Sequence, residues 1–185
     1  MKILLNSLVL FSCIGAAHAS EPIEVSLKEL YARSAEVAAI TITKGEMINV
    51  GTVRCGARYT AQVERSFKKD SQEITFDSFN GLEVGANYLM FFKINSGGPD
   101  EREISAQSPE QIASCPKWAG EITPDLTYGT IKQPAARGAY EMYARLILLP
   151  KGISSSPPKR FDSDEFYGTV WADKDETLEY LEQLK

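Results

Sequence analysis

Histidine is all but missing from these 185 residues. The single one, His18, lies in a stretch that reads as a cleavable leader, so the working chain is expected to have none. That absence excludes a Ser–His or Cys–His nucleophile, histidine-ligated zinc and a histidine general base. Cysteine is scarce too: of three, Cys13 goes with the leader, leaving Cys55 and Cys115. No Asn-x-Ser/Thr acceptor occurs, which suits a bacterial envelope better than a eukaryotic secretory route. Positive charge is short as well. Without the leader, which holds Lys2 and no acid, 19 basic residues face 25 acidic ones, a net charge of about −6. That excess argues against nucleic acid or an anionic lipid surface as partner.

The leader has three parts. Met1-Lys2 gives a positive start, Ile3 to Ile14 is mostly apolar, and Ala17-His18-Ala19 places small residues where a signal peptidase reads. Residues 1–19 are therefore expected to be removed, with export to the periplasm or the extracellular space. The apolar run falls short of the roughly 20 residues that span a bilayer. Leu10-Phe11-Ser12-Cys13 is a weaker alternative, a lipidation box with a bulky Phe11. The remaining chain, about 166 residues, has room for one good core or a core with an appendage. In an oxidising compartment two cysteines most often pair. A Cys55–Cys115 bond is expected; a metal site built on two isolated thiols without histidine would be poor.

Hydrophobic periodicity points to a mainly β chain. Ser26 and Glu29 form a capping box before a short helix whose Leu27, Leu30 and Tyr31 share a face. Val37 to Thr43 reads as a strand ended by Lys44-Gly45, with Met47 to Val53 following that turn. Ala57, Tyr59, Ala61 and Val63 alternate with Arg58, Thr60, Gln62 and Glu64, the pattern of a strand with one face on a core. Ile74 to Asp77 is a third strand. Asn87 to Lys93 is apolar on both sides, as a covered central strand would be. Ser108-Pro109-Glu110-Gln111 opens a short helix that carries Cys115 toward Cys55. From Pro116 to Pro134 the chain reads as irregular. Tyr143 to Leu149 and Phe166 to Trp171 are strand candidates, and Asp173 to Glu176 caps a last helix with Leu178, Leu181 and Leu184 in a stripe.

In order, Glu36-Val37-Ala38-Ala39-Ile40-Thr41-Ile42, then Tyr59 to Lys68, then Ile74-Thr75-Phe76, then Leu82 to Phe92 resemble the bacterial branch of the netrin-like family. That family shares an OB-type barrel with tissue inhibitors of metalloproteinases. The resemblance implies an OB-like five-stranded barrel with short helices over residues 20–117. Residues 118–185 would form a C-terminal extension packed on it and ending in a helix. The inhibitors bind protease zinc through an N-terminal cysteine amine. Here the expected start is Ser20-Glu21-Pro22, so only the scaffold and the theme of extracytoplasmic protein binding carry over.

Three groups of residues stand as site candidates. Arg58, Thr60, Gln62 and Glu64 form a polar strand face that could bind or be merely solvated. Trp118, Tyr128, Tyr140 and Tyr143 could anchor a ligand, though aromatics more often fill a core. Asp162, Asp164, Glu165, Asp173, Asp175 and Glu176 match no EF-hand spacing, and helix capping is the plainer reading. No catalytic residue, metal or cofactor is implied. The expected function is an exported non-catalytic module for a protein or peptide. The alternative is a carbohydrate-active enzyme or sugar-binding protein using carboxylates and aromatics. Two facing acids across a cleft would mark the enzyme, an aromatic platform the sugar binder.

Overall fold

The computed structural model describes residues 24–97, 108–117, 121–125, 130–133, 138–143, 147–155 and 169–185; for Pro109, Ile112, Tyr143 and Thr169 it describes the backbone only. The leader, Trp118, Tyr128, Asp162, Asp164 and Glu165 lie outside these residues.

In chain order, strand β1 (Val25–Ser26) runs straight into helix α1 (Leu27–Arg33). The capping box is present: Ser26 Oγ accepts from Glu29 N, and Ser26 N donates to Glu29 Oε2 at 2.8 Å. The Ser26 N–H, and with it the Ser26 hydroxyl at 2.7 Å, donates to the Glu29 carboxylate and holds it below its usual range. Strands β2 (Glu36–Val50), β3 (Val53–Ser66), β4 (Glu73–Ser78) and β5 (Asn87–Ile94) follow. Helix α2 (Pro109–Ser114) starts as its sequence implies, with Gln111 N donating to Ser108 Oγ at 3.3 Å and Ser108 N to Gln111 Oε1 at 2.9 Å. Then come β6 (Ile122–Pro124), β7 (Thr130–Gln133), β8 (Ala139–Tyr143), β9 (Ile147–Leu148), β10 (Thr169–Asp173) and helix α3 (Lys174–Glu182). Asp173 caps α3 by accepting from Glu176 N at 3.0 Å.

The chain is mainly β, and its main sheet is an OB-like barrel, nearly closed and antiparallel. Its order is β4-β3-β2-β5-β6, with β7 also on β5, and β6 comes back against β4. The barrel's last strand thus comes from beyond residue 117. The stretch read as irregular, Pro116 to Pro134, holds both β6 and β7. They are short, three and four residues, too brief for a period-two pattern to register.

The first half of β2, Glu36 to Ile42, and most of β5 are covered on both faces. Inward, Ala38, Ile40 and Ile42 meet Ala57, Tyr59, Ala61, Ile74, Phe76, Tyr88, Met90 and Phe92. Outward, Val37, Ala39, Leu89 and Phe91 meet α1, Phe67, Ile131, the β8–β10 ribbon and α3. Leu178 and Leu181 are the buried part of the α3 stripe, and Leu184 packs at its edge. Val63, read as inward, is only half-buried. A register shift between Ala39 and Ile40 breaks the alternation near it.

One turn differs from the sequence reading. Lys44-Gly45 does not end β2, which runs on to Val50 and turns at Gly51-Thr52, with Gly51 at φ +60°. Gly45 is instead the place where Tyr59 packs. A Cβ there would sit 2.9 Å from Tyr59 Cε1. The ring is held over the glycine because Tyr59 Oη accepts from Leu82 N at 3.0 Å and donates to Asn80 O at 3.2 Å.

Candidate functional site

The polar face of β3 is spent within the fold. Arg58 pairs across to Asp77 and forks onto its carboxylate, Nε to Oδ1 and Nη2 to Oδ2, both at 2.8 Å. Asp77 is wholly buried, so Arg58 neutralises a charge that water cannot reach. Arg58 Nη2 also donates to Glu121 Oε2 at 3.1 Å, just ahead of β6. The trio straps the barrel seam where β6 returns to β4. Its electrostatics are lopsided. Arg58 is held more firmly protonated, chiefly by Asp77. Glu121, despite its ion pair, is pushed above the usual carboxylate range: it shares a hydrogen bond with Asp77, is partly desolvated and feels Asp77's charge, against the pull of Arg58.

The rest of that face is engaged in the same way. Gln62 Nε2 donates to Gln72 O at 2.9 Å. Glu64 Oε1 lies 2.7 Å from Thr41 Oγ1, and its other oxygen 3.8 Å from Lys174 Nζ. Thr60 is half-buried, and its carbonyl accepts from Thr43 Oγ1 at 3.0 Å. The four residues stand outward as the alternation implies, but three of their side chains already hold neighbouring elements.

The same end carries the disulfide. Cys55 and Cys115 are bonded, with Cα atoms 5.5 Å apart. Cys55 sits beside Gly56, whose φ of +111° marks a shift in the β2–β3 register. Disulfide and ion pairs together fasten the segment before β6 to the barrel wall.

Of the aromatic group, only the side chain of Tyr140 is among those described. Tyr140 is fully buried in the outer core, where desolvation, then the charges of Glu64 and Asp175, push its phenol up. Of the acidic group, Asp173 is a cap and Glu176 binds Ser154. No three His, Cys, Asp or Glu side chains gather as a metal site among the described residues.

Two surface features that the sequence reading did not single out stand out among the described residues. The first is the outer half of the β2–β3 hairpin. Past Thr41, β2 has no β5 partner, and Met47 and Val50 are 52% and 39% exposed. Val84, 62% exposed, lies beside Gly45 at its base. Reading Lys44-Gly45 as a turn hid it, because β2 in fact has 15 residues against 14 in β3 and the hairpin outreaches its barrel.

The second is an open recess of about 570 Å³ between the 83–87 turn, β7 and the β8–β10 ribbon. Asn87 and Gln133 are direct cross-strand neighbours, and so are Glu141 and Trp171. Lys132 Nζ binds Glu83 Oε1 at 2.7 Å, which raises the lysine's pKa. Of the recess's two acids, then, one is already paired. Another recess, about 610 Å³, lies over Tyr31, Ser66 and Lys68. There Lys68 Nζ is bound by Ser34 O at 2.6 Å and lies 4.7 Å from the Tyr31 ring centre.

No protein-family model, curated protein or solved structure matches the chain. Its class is therefore stated from the fold: a disulfide-fastened OB-like barrel with a second core on its outer flank. No helix among the described residues is long and apolar enough to cross a membrane.

Proposed function

We propose that this chain is an exported, non-catalytic binding module on a netrin-like scaffold, and that it engages a protein or peptide through the outer half of the β2–β3 hairpin. The observation that carries the reading is where exposed apolar side chains gather. Scattered single ones need no explanation, but grouped ones do. Of the five large apolar side chains exposed among the described residues, Met47, Val50 and Val84 lie on the hairpin or the turn beside its base, while Ile94 and Leu148 lie singly elsewhere. The strand edge from Thr43 to Val50 is also unpaired on the β5 side. An extended peptide adds to such an edge with main-chain hydrogen bonds, and its alternate side chains meet the apolar ones. The leader sequence and the disulfide support a setting outside the cytoplasm.

The test is selection of random peptides on the purified oxidised protein. Selected peptides should lose at least about tenfold in affinity on a Met47→Ser/Val50→Ser double variant. A selection that yields no binder, or binders indifferent to the double variant, overturns the proposal.

A further inference from the structure

We propose that the recess between the 83–87 turn, β7 and the β8–β10 ribbon binds a neutral oligosaccharide, with Trp171 as stacking surface and Asn87, Gln133 and Glu141 as hydroxyl partners.

Sugars are recognised by a flat apolar ring against their C–H faces and by planar groups that bond neighbouring hydroxyls in pairs. The recess brings both chemistries together from three parts of the chain. Trp171 lines it and is half-buried. Glu141 stands directly across from Trp171 on the ribbon, which places a two-oxygen acceptor beside the indole. Asn87 and Gln133 stand across from each other on β5 and β7 and supply both donors and acceptors.

These groups are held in place before any ligand arrives. Asn87 Oδ1 lies 2.7 Å from Thr41 Oγ1, sharing that hydroxyl's single hydrogen with Glu64 Oε1. The turn is pinned to β2 by Gly85 N donating to Ile42 O at 2.7 Å and by Ile42 N donating to Ala86 O at 3.1 Å. Glu83 N donates to Tyr88 Oη at 3.0 Å, and the Glu83–Lys132 pair closes one side. By contrast, neither Gln133 nor Glu141 has a side-chain hydrogen bond among the described residues, so both face the recess with their capacity unspent.

Charge and size set the ligand class. Two carboxylates against one ammonium leave the lining negative, which repels uronates and phosphorylated sugars. The volume, about 570 Å³, falls in the range of small-molecule sites, about 300–1,000 Å³.

The chain has two tryptophans, so a Trp118→Phe variant leaves Trp171 as the sole indole and makes its fluorescence a report on this recess. That protein is titrated with maltotetraose, cellotetraose, tri-N-acetylchitotriose and, as the anionic control, tetragalacturonate. At least one neutral oligosaccharide should shift the emission saturably, with tetragalacturonate weaker. By calorimetry, Trp171→Ala should weaken that ligand at least about tenfold and Gln133→Ala about threefold or more. Gln133 is on β7, outside the ribbon, so the second variant tests the site even if the first perturbs the ribbon. No saturable shift up to about 20 mM, a preference for tetragalacturonate, or affinity unchanged in Gln133→Ala overturns the proposal. The hairpin reading fails separately, because its variants touch neither Trp171 nor Gln133.

Discussion

The barrel interior and the core on its outer flank are built from the same two strands, yet they are assembled differently. Met90 and Phe92 point into the barrel, Leu89 and Phe91 away from it, and all four are fully buried. The inner core draws nearly all its members from Ala38 to Phe92, with Ile122 packed at its edge. The outer core gathers Val25, Leu27 and Leu30 from the start of the described chain, Phe67 from the middle, and Ile131 through Leu181 from the end. Equal burial therefore does not mean equal dependence. The inner core forms from neighbouring strands. The outer one needs the C-terminal segments to return and dock.

The strongest test of that contrast is truncation on each side. Phe92→Ala inside and Phe91→Ala outside should each cost about 3–5 kcal/mol in denaturant melts. Leu181→Ala, on α3, should cost about 2–5 kcal/mol and act more narrowly. Under native conditions it should speed hydrogen exchange in β8, β10 and α3 while amides of β2 and β3 keep their protection. If every amide loses protection together, the two cores are a single cooperative unit and the contrast fails.

The seam lies on the barrel wall where β6 meets β4, and breaking it sharpens the comparison from the other side. Replacing Cys55 and Cys115 together with Ala should cost about 2–4 kcal/mol, since the bond closes a loop with a separation of 60 residues. Arg58→Ala should cost about 1–3 kcal/mol. It strands buried Asp77, though the guanidinium is 47% exposed and water softens the loss. Gln62→Ala, on the same outward face, should stay within about 0.5 kcal/mol. The alternation alone had implied that both would be cheap. Equal effects at Arg58 and Gln62 would mean that the Asp77 fork is not what holds the seam.

The smallest effect is a pH dependence. Glu121 has a folded-state pKa raised above its ordinary value of 4.5, mainly through Asp77. A carboxyl raised on folding adds stability that is fully present below its unfolded pKa and lost as pH rises through the folded one. Wild type should therefore gain stability relative to Glu121→Gln as pH falls from about 7 to about 4. Urea melts of both proteins across that range decide it; a flat difference would show that Arg58 cancels the influence of Asp77.

Much of the barrel could be read along the chain. Ser26-Glu29 and Ser108-Gln111 cap as their spacing implies, because a cap needs only residues three apart. Tyr59 and Ala61 face inward because a strand alternates, and Asn87 to Lys93 is central because both its faces are apolar. Cys55–Cys115 followed from there being two cysteines left to pair. Gly45 was misleading. Glycine before a new strand resembles a turn, while its use here, making room for the Tyr59 ring, depends on a residue across the hairpin.

The sequence by itself determined the mainly β character, the helix starts, the disulfide and the inward face of β3. Each depends on residues close in the chain or on the count of one residue type. Only the tertiary structure decided that Arg58 guards Asp77, that the barrel takes its last strand from beyond residue 117, and that Trp171, Glu141, Asn87 and Gln133 border one recess. Those meetings join residues 19 to 84 positions apart, as in Arg58 with Asp77 and Asn87 with Trp171, through strand pairings of β3, β5 and β8. Local periodicity says which way a side chain faces, but not which distant strand will lie beside it.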